Sequence, residues 1–174
     1  LVAKWVFHVP DAKKLEATPI VYDGLMYVSN TNEMYALDAR NGRKVWHYRA
    51  SRARGTRVNR GTAILGDKVY FVTSDCHLIA LHRSTGNLLF DVQYASFDAG
   101  YTTSVAPLAI RNGILVGVAG GGSGQRGFVA ALHPDTGREV WRFWTVPAKG
   151  EPGSDTWGGF PAEMLIFVFF VFVF

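Results

Sequence analysis

Short runs of β-branched and aromatic residues, each ended by a polar or glycine-containing pair, set the rhythm of this chain. Pro19-Ile20-Val21 leads to Asp23-Gly24, Ala63-Ile64-Leu65 to Gly66-Asp67, and Pro107-Leu108-Ala109-Ile110 to Asn112-Gly113. Each pair predicts a hairpin turn, and a second run rich in strand-forming residues follows it: Leu25 to Ser29, Lys68 to Thr73 and Ile114 to Val118. An eleven-residue element then closes each unit: residues 36–46, 80–90 and 131–141. In every copy an alanine opens it (Ala36, Ala80, Ala131), a glycine follows (Gly42, Gly86, Gly137) and a large aromatic closes it (Trp46, Phe90, Trp141).

The copies start 44 and then 51 residues apart, and each unit reads as four antiparallel strands. One such sheet cannot bury both faces alone, so the repeat predicts an all-β fold of β-propeller blades stacked side by side. Within the closing element the glycine supplies the positive φ of the turn between the third and fourth strands. The aromatic reaches across to pack between blades, with the alanine leaving it room. On this reading Phe90 docks less fully than Trp46 or Trp141. Three units span about residues 16–144, and Lys4-Trp5-Val6-Phe7 reads as the closing strand of a preceding blade. A closed propeller needs about four to eight blades, so the chain is expected to be a slice of a larger protein or to assemble with something that covers its open faces.

Composition narrows the class without naming a chemistry. With 174 residues, 48% hydrophobic and 18% charged, the chain is too apolar for a disordered tail. Its 19 glycines and 14% aromatics favour turn-rich β structure over a helical bundle. The +4 net charge has one dense cluster, Arg49, Arg52, Arg54, Arg57 and Arg60. No base-stacking module accompanies it, so the expectation is a solvated loop and no nucleic-acid partner. The single cysteine, Cys76, excludes an intrachain disulfide, a zinc knuckle or a CxxC pair. Leu1 to Val9 reads as a strand, so a signal peptide is expected to be absent or removed. The domain is expected to cover residues 1–157, with 158–174 an atypical apolar tail. Its last eleven residues, Met164 to Phe174, are all apolar, too few for a transmembrane span of about 17–25, and read as an aberrant or truncated terminus.

Ligands of propellers gather at the central channel, reached by loops at one end of the blades. Three stretches are candidates: Glu16-Ala17-Thr18-Pro19; Arg57-Val58-Asn59-Arg60-Gly61; and Tyr101 to Pro107 together with the glycine run Ala119 to Gly127. The run is not a Walker loop, because no Gly-Lys-Ser/Thr ends it and it lies between strands. These segments, in order and with Arg126-Gly127-Phe128, Gly150-Glu151-Pro152-Gly153 and Thr156-Trp157, resemble the pyrroloquinoline-quinone (PQQ)-dependent alcohol dehydrogenases over residues 1 to about 157.

The resemblance implies an eight-bladed periplasmic propeller that oxidises alcohols with PQQ beside calcium and passes electrons to a cytochrome c. It implies cofactor-binding roles for Glu16 at the quinone edge, Arg60 at the reactive carbonyls, Ser104 where the family usually has threonine, and Gly120 and Gly121 through their backbone. Three departures follow. Gly122 stands at the acidic calcium-ligand position, so poor calcium affinity is expected. Arg54-Gly55 stands where many members carry adjacent cysteines. The general base is expected beyond residue 157, so the chain alone is expected to be inactive and to carry no catalytic residue. The rival reading is a non-catalytic protein-binding scaffold like the outer-membrane assembly lipoproteins that share the docking repeat.

Overall fold

The computed structural model describes residues 2–119 and 124–157. Twelve strands run in chain order: β1 (Ile20–Tyr22), β2 (Leu25–Asn30), β3 (Glu33–Asp38), β4 (Lys44–Arg49), β5 (Ala63–Leu65), β6 (Lys68–Val72), β7 (His77–His82), β8 (Leu88–Gln93), β9 (Leu108–Ile110), β10 (Gly113–Gly117), β11 (Phe128–Leu132) and β12 (Glu139–Trp144). They form three separate four-stranded sheets, β1–β4, β5–β8 and β9–β12, each pairing antiparallel between sequence neighbours. These are the three blades. A 3₁₀ turn, Ser154–Trp157, follows the last strand.

Details differ from the sequence reading at three places. Residues 4–7 form no strand, although Trp5 still performs the docking described below. The third hairpin turns at Arg111 and Asn112, because Gly113 already pairs with Ile110. The third difference concerns Trp141, which is more exposed than Phe90, the reverse of expectation.

The reason lies in how one blade is seated on the next. The Trp46 indole N–H donates to the Arg83 carbonyl at 2.9 Å, and its ring lies on Gly86, where an added Cβ would stand 2.7 Å from the indole. Gly86 also has φ +74°, so the position excludes a side chain on both counts. Trp5 repeats the arrangement one blade earlier, donating to the Ala39 carbonyl at 3.1 Å over Gly42. Phe90 sits over Gly137 but has no N–H, and the Tyr70 hydroxyl instead donates to the equivalent carbonyl, Pro134, at 2.8 Å. Three sockets therefore hold three aromatics. Trp141, at 45% exposure, has no fourth socket among the described residues.

A β-bulge aims Trp46 and Phe90. The register slips at the same point of every blade, between Ala36 and Leu37, Ala80 and Leu81, Ala131 and Leu132, leaving Val45, Leu89 and Val140 as extra residues on the outer strand. Those three are exposed, and Trp46 and Phe90, the aromatics after the first two, are turned toward the neighbouring blade. The core between blades one and two gathers Tyr27, Met34, Trp46, Phe71, Ile79 and Leu81; that between two and three gathers Tyr70, Leu78, Ile114, Phe128 and Leu132. Cys76 belongs to the second cluster, and burial pushes its thiol up to about 12, which fits core packing and not reactivity.

Asp38 fastens the β3–β4 turn of the first blade. Its carboxylate accepts from the Arg40 N–H at 2.9 Å, from the Arg40 guanidinium at 3.2 and 3.0 Å and from the Asn41 amide at 3.3 Å. Hydrogen bonds from the Arg40 side chain, then from its backbone, hold this carboxyl at about 2, below its ordinary 3.8. The folded value lies below the unfolded one, so the contribution is complete above the ordinary value and is lost as pH falls toward 2. Urea midpoints of the chain and of Asp38→Asn are expected to differ at pH 7 and to converge near pH 2.

Candidate functional site

Antiparallel pairing dictates which end of the blades holds the linkers. The β2–β3 and β6–β7 turns, the ends of β4 and β8, and the starts of β1, β5 and β9 all lie at one end, and the docking turns lie at the other. Glu16, Arg60 and Ser104 each precede an inner strand by a few residues, so all three come to that same end.

At the hub the inner strands nearly touch. Thr18 forms a parallel bridge with Gly61, its N–H donating to the Arg60 carbonyl at 3.1 Å. Gly61 has φ +145°, and a Cβ there would meet the Thr18 carbonyl at 3.3 Å and the Ala106 methyl at 3.4 Å. One glycine thus lets three blades converge, and side chains 44 residues or more apart in sequence become neighbours. Arg60 donates one guanidinium N–H to the Ser104 hydroxyl and sets another nitrogen 3.3 Å from the Glu16 carboxylate. Lys14 pairs with the other Glu16 oxygen. The hydrogen bond from Lys14 pulls the Glu16 carboxyl down, partial burial pushes it back, and the charges of Lys14 and Arg60 lower it further. The net direction is down, so Glu16 stays anionic through neutral and mildly acidic pH and keeps Arg60 oriented.

The backbone under these groups is tightly tied. Asn59 is buried; its carbonyl oxygen accepts from the Ser29 hydroxyl at 2.6 Å and the Gly61 N–H at 2.9 Å, and its amide donates to the Val72 carbonyl at 2.7 Å. Thr103, also buried, donates its hydroxyl to the Gly117 carbonyl at 3.0 Å, and Thr102 bridges to Ala119. Ala119 leads into the glycine run. Gly120, Gly121 and Gly122 lie outside the described residues.

Lys14 was not among the sequence candidates, and Asn59 and Thr103 lay within two of the candidate stretches without a role assigned to either. The signal for Lys14 was an opposite charge two residues before Glu16. Two of the segments named from the sequence also meet in a second cluster: Arg126 donates to the Val146 carbonyl at 2.9 Å, pairs with Glu151 at 2.7 Å and lies 4.6 Å from the Trp144 ring centre. It ties Arg126-Gly127-Phe128 to the Gly-Glu-Pro-Gly segment. Two surface hollows, about 300 Å³ around Asn32, Glu33 and Arg49 and about 270 Å³ around Tyr48, Thr73, His77 and Asp91, lie on the outer side of the same end, and neither is lined by the hub residues.

Chemically, two cations surround one carboxylate beside a hydroxyl donor. Glu16 and Arg60 are 26% and 42% exposed, so this cluster of net positive charge is open to a ligand carrying carboxylates or carbonyls. Repeated four-stranded blades joined by docked aromatics, with linker side chains meeting at the inner ends, define blades of a β-propeller.

Residues 2–161 match the PQQ family described as "Glucose/ethanol/alcohol dehydrogenase, beta-propeller domain", and the chain belongs to that family. A quinohemoprotein alcohol dehydrogenase, ADH IIB of Pseudomonas putida, is 37% identical over 156 residues, 85% of this chain and 22% of that protein. The solved structure of ADHIIG from the same species matches with a TM-score of 0.78 at 36% identity, over 83% of this chain and 22% of that one. BamB of Moraxella catarrhalis matches with a TM-score of 0.58 at 22% identity, over 80% of this chain and 39% of that one, a likeness of fold alone. The chain thus spans about a fifth of the length of the dehydrogenases it matches. No helix among the described residues is long and apolar enough to cross a membrane.

Proposed function

We propose that this chain supplies three blades of a periplasmic quinoprotein alcohol dehydrogenase and that its linker end holds one edge of PQQ. The convergence of Arg60, Ser104 and Glu16 carries this reading. PQQ bears three carboxylates and a dione, which suit a guanidinium fork and a small hydroxyl donor. Arg60 would bind at the carbonyls with Ser104 beside it, Glu16 would accept from an N–H at the quinone edge, and Gly120 and Gly121 would offer backbone contacts. When bound, the quinone supplies the hydride acceptor for alcohol oxidation, with a cytochrome c as onward electron acceptor. The chain's own part is to bind and orient, since the resemblance assigns the general base to no residue here.

Calcium fits less well. The ion takes about six to eight oxygens and relies on carboxylates for charge. Among the described residues no three His, Cys, Asp or Glu side chains gather, and the Glu16 carboxylate is already held by two cations. PQQ affinity of this chain is therefore expected to change less than about two-fold between excess chelator and millimolar calcium, the concentration scale of weak calcium sites.

The test is quenching of tryptophan fluorescence on addition of PQQ. A saturable response is expected. Quenching no greater than that of free tryptophan at the same PQQ concentrations, the inner-filter loss alone, would favour the scaffold reading.

A further inference from the structure

Two linkers cross the ligand end side by side, residues 50–62 from blade one to two and 94–107 from blade two to three. Their inner ends are joined by the Arg60 to Ser104 hydrogen bond. Their outer ends are joined as well. The Arg54 guanidinium donates to both oxygens of Asp98, at 2.6 and 3.3 Å, and lies 4.7 Å from the Phe97 ring centre.

Between the two joints both linkers lean on one turn, that between β6 and β7. The buried Asp75 carboxylate accepts from the Arg54 N–H at 2.8 Å and from the Thr73 hydroxyl at 2.7 Å. Ser74 accepts the Arg57 N–H on its hydroxyl at 3.0 Å and the Thr103 N–H on its carbonyl at 3.2 Å. The Asn32 amide donates to the Gly55 carbonyl at 3.3 Å, and its oxygen accepts the Ser74 N–H at 2.9 Å. Every tie in this strip except the Arg54 to Asp98 fork is a single hydrogen bond. Among the described residues the fork, with the Phe97 ring beside it, is the direct side-chain link between the two linkers at a distance from the hub.

We infer that Arg54 and Asp98 are positioning residues: their fork, backed by Phe97, holds the Arg60 and Ser104 linkers in mutual register so that the two donors are presented together to the ligand. An exposed ion pair adds little to global stability. Its effect here is local, because it closes a short loop whose other end is the binding group. The part concerning ligand rests on the PQQ reading, whereas the part concerning linker order does not.

The experiment compares the 174-residue chain with Asp98→Ala, Arg54→Ala, the charge exchange Arg54→Asp with Asp98→Arg, and a control, Asp23→Asn. Asp23 belongs to a similar pair with Arg83 at the opposite end, 3.1 Å apart, with that guanidinium 5.0 Å from the Tyr22 ring centre. Two readouts are taken: trypsin cleavage after Arg52 and Arg57 under native conditions, and PQQ affinity by fluorescence. Both single variants are expected to be cut about three- to ten-fold faster and to bind PQQ three- to ten-fold more weakly, with the urea midpoint unmoved. The exchange is expected to recover both readouts, and the control to change neither. Unchanged cleavage in Asp98→Ala, or no recovery in the exchange, would overturn the inference. Faster cleavage together with no saturable PQQ response in any chain would retain the linker clamp and remove the PQQ reading instead.

Discussion

Trp46→Ala destabilises the chain by about 3–5 kcal/mol, whereas Trp141→Ala changes its stability by about 0.5 kcal/mol or less. The two residues hold the same place in the repeat, so propensity and unfolded-state effects nearly cancel in the comparison. What differs is the socket. Trp46 is 8% exposed, donates its N–H to the Arg83 carbonyl and lies on Gly86. Its removal opens a cavity between blades and takes one of two donors from the Arg83 carbonyl. The Tyr27 hydroxyl also donates to that carbonyl, at 3.2 Å, so part of the hydrogen bonding survives and the cavity dominates the loss. Gly86→Ala reaches the same interface from the other side. The new methyl would press on the indole from a left-handed backbone, and the variant is expected to lose stability with Trp46→Ala non-additively. Urea unfolding of the unaltered chain, the three single variants and the Trp46→Ala/Gly86→Ala double variant measures this. Equal losses at Trp46 and Trp141 would mean that docking is not what joins the blades.

Arg60→Ala is expected to weaken PQQ binding by about 10- to 100-fold, the loss when one charge-assisted hydrogen bond contributing about 1.5–3 kcal/mol disappears. Arg60→Lys should recover only part, because an ammonium keeps the charge but cannot serve two acceptors in one plane. Ser104→Ala removes a neutral donor and is expected to cost about three- to ten-fold. Glu16→Gln keeps the shape but removes the charge that orients Arg60 and weakens the acceptor proposed for the quinone-edge N–H, so only part of its effect should persist in an Arg60→Ala background. Fully additive losses from Glu16 and Arg60 would mean that Glu16 does not orient Arg60.

The strand plan of the blades was legible because hairpin pairs such as Asp23-Gly24 and the alanine–glycine–aromatic spacing encode local geometry. Asp23 and Gly24 both take positive φ, as a two-residue hairpin turn favours. The convergence of Glu16, Arg60 and Ser104 was legible only through the repeat, since equivalent positions in successive blades lie at the same end. The bulge at Val45, Leu89 and Val140 was hidden, because an exposed apolar residue before an aromatic reads as ordinary strand. Trp141 was misjudged because docking belongs to a pair of blades, and a repeat motif records only one partner. Lys14, and the supporting roles of Asn59 and Thr103 within their candidate stretches, escaped for another reason. They act by holding backbone and charge in place, which depends on contacts 13 or more residues distant or on a local ion pair that composition does not single out.

Amide hydrogen exchange with and without saturating PQQ addresses the hub most directly. Simultaneous protection of residues 16–18, 59–61 and 102–105, with the docking turns at the opposite end unchanged, is the predicted result. Protection confined to the outer strands, or to one of the three segments alone, would contradict a single site assembled from three linkers.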